Sequence, residues 1–99
     1  MNTLSSIRKD WDLIESLIDN YSSILDIGCG EGGLILQLLD NIQADIRGME
    51  VDGDLARDAI SKGLSVVQGN AEKDLKQYND ESFDYVILSQ TLQAMYNPK

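Results

Sequence analysis

The sequence contains no histidine, a single cysteine and few basic residues. Without imidazole, neither a Ser-His-Asp triad nor a Cys-His pair can be built, and zinc sites that need histidine are excluded. The lone thiol, Cys29, has no internal disulfide partner, so a reducing cytoplasm is the expected home. Eight Lys and Arg against 17 Asp and Glu leave a net charge of −9. Such a chain repels phosphate backbones, and no basic patch for nucleic acid is visible. No apolar run approaches the ~20 residues that span a bilayer, and the opening Met1-Asn2-Thr3-Leu4-Ser5-Ser6-Ile7-Arg8 shows no export signal. Neither nucleic acid nor membrane is an expected partner. What remains is an ordinary globular composition, 42% hydrophobic and 25% charged, over 99 residues, enough for one domain. Chemistry has to come from carboxylates, backbone amides, hydroxyls or a bound cofactor.

From Leu4 to Tyr21 the apolar residues Leu4, Ile7, Trp11, Ile14, Leu17, Ile18 and Tyr21 step by three and four, one stripe of an amphipathic helix. Ser5 or Ser6 stands where a cap belongs. Residues 1–22 thus form an N-terminal helical segment, and residues 23–99 read as βα units. Ser23-Ile24-Leu25-Asp26-Ile27 is too short for a helix and predicts a buried strand. Gly28-Cys29-Gly30-Glu31-Gly32-Gly33 breaks the chain, and Ile35, Leu38, Leu39 and Ile42 resume helical spacing. Ile46 to Val51 predicts a second strand. Asp52 caps a helix carrying Leu55, Ala56, Ala59 and Ile60, which Gly63 closes after Lys62. Leu64 to Gln68 predicts a third strand, followed by the loop Gly69-Asn70-Ala71-Glu72 and a short helix from Glu72 to Tyr78. After the polar turn Asn79-Asp80-Glu81-Ser82 comes the strongest strand, Phe83 to Leu88. Thr91 to Tyr96 predicts a further helix, cut by Asn97-Pro98.

Strands separated by helices pair in parallel through right-handed crossovers, an α/β fold. Val86-Ile87-Leu88 is apolar on both faces, as an interior strand should be. At the end of a sheet it would leave a long hydrophobic edge, which folded proteins avoid. Two expectations follow: more chain once followed Lys99, or a partner such as a second copy covers the fourth strand. Truncation is the preferred reading.

The chemistry concentrates in Asp26-Ile27-Gly28-Cys29-Gly30-Glu31-Gly32. A glycine loop after a buried strand lets backbone approach a ligand, and the next helix offers free N–H groups at its positive end. Such ligands sit outside the carboxyl ends of the strands, where strand order reverses. Gly28, Gly30 and Gly33 also satisfy G-x-G-x-x-G, a weak dinucleotide fingerprint by itself. Glu50, 22 residues after Gly28, suits ribose hydroxyls with either kind of ligand. Asp26 separates the two. An acid two places before the first glycine sits badly beside a pyrophosphate and suits a cationic ammonium and sulfonium. A nicotinamide-dependent dehydrogenase is the weaker reading.

Asp26-x-Gly28-x-Gly30-x-Gly32, with Glu50 ending the second strand, resembles the S-adenosylmethionine site of class I methyltransferases. The resemblance implies a Rossmann-like parallel sheet, of which this chain holds the N-terminal four strands in the order 3-2-1-4 with flanking helices. It implies that Gly28 and Gly30, with Cys29 and Gly32 in the same loop, let backbone meet the methionine part. Asp26 would order that end, Glu50 would accept from both ribose hydroxyls, and Val51 would pack on adenine. Asn70 stands where the family often has aspartate facing the adenine amino group, and Ala71 N–H would meet a ring nitrogen. Ser89 and Gln90 would line the methionine end.

The opening Met1 to Arg8 and the closing Val86-Ile87-Leu88-Ser89-Gln90-Thr91-Leu92-Gln93-Ala94-Met95 are similar to the MetW family of methionine biosynthesis proteins. That resemblance implies a role in methionine biosynthesis, with S-adenosylmethionine or S-adenosylhomocysteine as ligand and the homoserine O-acyltransferase MetX as partner. One reading is methyl transfer to an acceptor the sequence does not name. The other is a non-catalytic subunit that activates MetX.

Each residue also has a plainer use. Asp26 can cap the loop, Glu50 can be an exposed strand-end acid, and Asn70 can make an Asx turn. Cys29 fits a small filler better than a nucleophile, because Glu31, two residues on, opposes a thiolate. Trp11, Tyr85 and Tyr96 read as packing residues. Gln90, Thr91 and Gln93 follow a buried strand at the mouth of the expected site, where Thr91 can also cap a helix.

Overall fold

The computed structural model describes residues 4–74, 82–89 and 93–96. The first apolar stripe folds as helix α1 (Leu4–Leu17). Ile14 and, just past the helix, Ile18 are buried, with Trp11 packed against the same core. The helix ends earlier than its stripe suggests. Leu17 is 59% exposed and Tyr21 83%, because Tyr21 turns the chain into the sheet from the left-handed region at φ 66°.

Four strands form the parallel sheet: β1 (Ser22–Ile27), β2 (Ala44–Glu50), β3 (Val66–Gln68) and β4 (Tyr85–Leu88). They stand in the expected order, β3-β2-β1-β4. Helices α2 (Gly33–Asn41), α3 (Gly53–Ser61) and α4 (Ala71–Asp74) connect them. The alternation is legible residue by residue. Ile24, Leu38 and Ile87 are fully buried, each contributing roughly 1.5–3 kcal/mol of hydrophobic stabilisation. In α2, Leu34 is buried beside Ile35 and Leu38, whereas Leu39 of the expected stripe is 45% exposed. Asp52 caps α3 as its position implies, accepting from Asp54 N and Leu55 N, and Gly63 closes it at φ 86°. The third strand is shorter than its apolar run, since Leu64 packs into the core before pairing begins.

Two devices set the register of β4. The Asp84 carboxylate accepts from Ser23 N at 2.9 Å, while Asp84 N donates to Ser23 Oγ at 3.0 Å. The buried Tyr85 hydroxyl donates to the Leu17 carbonyl at 3.3 Å, joining the end of α1 to the sheet. Ile27 is then level with Met49 on one side and Leu88 on the other, so three strands end at one rim.

The region after β4 corrects two expectations. Gln93–Tyr96 forms a strand, β5, not a helix, and pairs antiparallel with β4 from Tyr85↔Tyr96 to Leu88↔Gln93. Pairing satisfies the backbone groups that a helix here would have left bare along β4. β4 is therefore an interior strand, and the premise for a homo-oligomer through its open edge is gone. Of the short helix expected over residues 72–78, the described part is Ala71–Asp74; residues 79–81 of the polar turn lie outside the described residues.

Gly48 shows how tightly the sheet meets the glycine loop. A Cβ there would stand 2.7 Å from Cys29 Sγ and 3.0 Å from both Ile35 Cδ1 and Val66 Cγ2. With atoms closing in from three elements, Gly48→Ala is expected to destabilise the fold by about 1–3 kcal/mol, read from urea unfolding. An unchanged midpoint would show the loop to be more yielding than its packing implies.

Candidate functional site at the carboxyl rim of the sheet

The loop after β1 is built by glycines in alternation. Gly28, Gly30 and Gly32 have φ of 74°, 60° and 94°, a region that side-chain-bearing residues rarely adopt. At Gly32 a Cβ would run into the Leu64 side chain, whereas at Gly30 it would meet nothing within 4 Å. Gly32 is thus glycine for packing, and Gly30 leaves an open approach to backbone. The loop is tied to β2, with Gly28 N and Cys29 N both donating to the Met49 carbonyl, at 2.8 and 3.2 Å. Lys62 Nζ donates to the Glu31 carbonyl at 3.0 Å, holding the outer side of the loop to the end of α3.

Glu50 stands on the same rim as Gly28. It is 4% exposed, and both carboxylate oxygens are engaged: Oε1 accepts from Gly30 N at 2.7 Å and Oε2 from Asp52 N at 2.9 Å. It is therefore not the exposed strand-end acid of the plainer reading. Each oxygen keeps a second lone pair.

Asp26 is fully buried one layer below. Its Oδ1 accepts from the Ser89 hydroxyl, while Oδ2 has no hydrogen-bond partner among the described residues. Burial pushes the Asp26 carboxyl up from 3.8 to about 7; the Ser89 hydrogen bond opposes that rise and the nearby Glu50 charge adds to it. Cys29 is buried against Gly48, and its thiol is pushed up to about 12 by burial, then by Asp26 and Glu50. A thiol held in its neutral form is a filler, not a nucleophile.

Beside the loop lies a cavity of about 370 Å³, within the usual range for small-molecule sites. Gly28, Val51, Asn70 and Ala71 line it, as expected of the ligand-binding residues, together with Ile27, Met49, Gly69, Glu72 and Leu88. The last five were not singled out in the sequence. Ile27 and Leu88 end their strands and Met49 stands one residue before the end of β2, next to residues that were, so strand termini were the available signal. Asp26, Cys29, Gly30, Gly32, Glu50 and Ser89 stand around the loop outside the cavity wall, and Gln90 lies outside the described residues.

Asn70 does something the sequence left open. Its Oδ1 accepts from Glu72 N at 2.8 Å, and Asp74 Oδ2 accepts from Asn70 N at 2.7 Å, so the side chain caps α4. The Asx-turn geometry and a place on the cavity wall coexist. Among the described residues, Nδ2 and one lone pair of Oδ1 remain for a ligand.

The residues fit a nucleoside with a cationic amino-acid end better than a dinucleotide. An unpartnered buried carboxylate oxygen calls for a donor or positive charge, and Gly30 admits close approach. Two buried carboxyls at the loop oppose a pyrophosphate. The described ion pairs, Arg47–Asp45 and Arg57–Asp54, involve neither of them.

Comparison with known proteins bears on the family and the fold. A family model described as "Methionine biosynthesis protein MetW" matches residues 8–99. The bifunctional methionine biosynthesis protein MetXA/MetW of Rhodopirellula baltica is 31% identical over 100 residues, covering 93% of this chain and 16% of that protein. Among solved structures, the PH0226 protein of Pyrococcus horikoshii OT3 superposes with a TM-score of 0.72 at 26% identity, over 87% of this chain and 43% of that one. The TehB-like SAM-dependent methyltransferase of Corynebacterium glutamicum gives 0.66 at 26% identity, over 80% and 42%. The chain spans less than half the length of each of these relatives. Among the described residues, no helix is long and apolar enough to cross a membrane. With the class I methyltransferase architecture and a family match over almost its whole length, the chain belongs to the MetW family of methionine biosynthesis proteins.

Proposed function

We propose that the chain binds S-adenosylmethionine, or its product S-adenosylhomocysteine, at the carboxyl rim of the sheet as part of methionine biosynthesis. The observation that carries this reading is the pairing of Gly30 and Glu50: the loop amide donates to the acid, which places a carboxylate beside an open glycine approach at the strand-order switch. Glu50 would hold the ribose hydroxyls with its remaining lone pairs, and Val51 with Ile27 and Leu88 would enclose the adenine. Asn70 and Ala71 would meet the polar edge of the base. The Gly28–Gly30 backbone would face the methionine portion, with Asp26 and Ser89 behind it. When bound, the cofactor supplies a methyl group already activated on sulfonium, so the protein's task is to orient and to exclude water.

Calorimetric titration tests this directly. S-adenosylhomocysteine is expected to bind and NAD is not; the reverse preference would restore the dehydrogenase reading. Gly30→Ala sharpens the test. Its Cβ meets no neighbour, so the fold should lose only about 1–2 kcal/mol from the positive φ. Affinity for S-adenosylhomocysteine should fall at least about tenfold, because the methyl occupies the ligand's approach. Equal affinity in the variant would remove the loop from the site.

A second reading has its own support. Among the described residues the cavity wall carries one titratable side chain, the exposed Glu72, and Cys29 is buried outside that wall and held neutral. The Rhodopirellula relative carries both names, MetXA and MetW, in a single chain. In this reading the protein activates a homoserine O-acyltransferase, and the bound cofactor reports methionine status. Adding the protein to that acyltransferase should raise its rate; an unchanged rate alongside methyl transfer to an extract acceptor would favour catalysis instead.

A further inference from the structure

We propose that ligand binding at this rim is proton-linked: a ligand that brings a cationic amine to the glycine loop displaces a proton from Asp26, the sealed carboxyl with one unpartnered oxygen. The inference rests on reading the rim as an S-adenosylmethionine site and adds to it a dependence on pH.

The geometry supplies the argument. Asp26 has no exposed surface, and among the described residues only one of its oxygens, Oδ1, is hydrogen-bonded, to the Ser89 hydroxyl. An ionised carboxylate in that position would leave Oδ2 without a donor, the costliest way to bury a polar group. Among the described residues, no cation acts on it. β2 contributes Glu50, and the loop contributes the neutral thiol of Cys29. β4 places the apolar Ile87 level with Asp26, and the Ser89 hydroxyl follows beyond it. Arg47, the cation on β2, stands level with Leu25 and is paired with Asp45 among exposed groups. Among the described residues the charges of Asp26 and Glu50 thus oppose each other with no counter-charge, and the neutral form of Asp26 is favoured up to about pH 7.

A cationic amine within about 4–6 Å favours the ionised carboxylate without direct contact. The O–H bond of the Asp26 carboxyl then breaks, the proton passes to buffer, and the resulting carboxylate stays with the ligand's charge. Nothing is oxidised or reduced. Adenosine has no such amine and would leave the proton in place, which makes it the internal control for the nucleoside part of the site.

The test is calorimetry of the chain with S-adenosylhomocysteine and with adenosine between pH 5.5 and 7.5, in two buffers of different ionisation enthalpy. S-adenosylhomocysteine should bind about tenfold or more weakly at the acid end and release up to one proton per ligand near pH 6. Adenosine should show neither effect. Asp26→Asn, isosteric and uncharged, should bind S-adenosylhomocysteine with a pH-independent affinity, below that of the native protein at pH 7.5. A flat native profile for S-adenosylhomocysteine would overturn the proposal. So would an equal slope for adenosine, which would place the titrating group at the sugar end. If neither ligand binds at any pH, the site reading itself falls, and the proton linkage with it.

Discussion

Replacing Glu50 by alanine is expected to destabilise the fold by about 3 kcal/mol and to weaken S-adenosylhomocysteine binding at least tenfold. The stability loss comes from two amides in part-buried hydrogen bonds. Gly30 N and Asp52 N each donate to a Glu50 oxygen, and alanine leaves both without an acceptor. A hydrogen bond to a charged group contributes roughly 1.5–3 kcal/mol, and the Gly30 bond also holds the loop that the ligand would approach. One effect works the other way: removing the Glu50 charge relieves Asp26, whose carboxyl is raised by burial and then by Glu50. That relief keeps the estimate below the sum of two such bonds. Thermal unfolding and calorimetry on the same variant separate the two losses. Glu50→Gln retains an acceptor for one amide, so it should lie between native and alanine in both measurements. Native-like melting and affinity in Glu50→Ala would mean that the acid neither holds the loop nor touches the ligand.

The free protein should become less stable as pH rises from about 4 to about 7, and Asp26→Asn should abolish this slope. The direction follows from the raised value. Below pH 3.8 Asp26 is protonated in both the folded and unfolded chain. Between 3.8 and about 7 the unfolded chain has lost the proton while the folded chain still holds it, so each increment of pH favours unfolding. Above about 7 both states are ionised and the dependence ends. At roughly 1.4 kcal/mol per pH unit, the loss is at most about 4 kcal/mol. Asparagine keeps the shape and the acceptor for Ser89 without the charge, so the variant should gain several kcal/mol at pH 8 over the native chain. Urea midpoints at pH 4 and pH 8 measure this. A native chain more stable at pH 8, with the same slope in the variant, would show that Asp26 is solvated. Stability gained by neutralising a residue proposed to meet a ligand would be the usual trade-off at functional sites.

Much of the site was legible because glycine and charge are scarce enough to be informative where they cluster. Asp26, the alternating glycines and Glu50 specify a rim before any coordinate is known, and the three glycines take positive φ. Ser89 was expected at the methionine end and reaches Asp26 by hydrogen bond. Three features were not legible. Asn70 was left between ligand and turn because an Asx turn and a ligand contact need the same residue type. The cavity wall of Ile27, Met49 and Leu88 looked like ordinary core, since an apolar strand end reads the same whether a helix or a ligand covers it. The segment Gln93–Tyr96 carries no strong helix or strand pattern, and only the open edge of β4 decides that it pairs.

Periodicity, caps and turn residues act over a few positions, and from them alone followed the βα order, the α/β class, the strand succession and the glycine loop. Hydrogen-bond assignment and burial depend on partners far apart in the chain, 20 residues for Gly30 with Glu50 and 63 for Ser89 with Asp26. Only the folded sheet decides that Glu50 already holds two amides, that Asp26 is sealed with one oxygen unpartnered, and that β5 closes the edge of β4. The reason is physical. A residue's type states what it can donate, accept or bury, while the field and the water left around it are set by whatever the tertiary structure brings alongside.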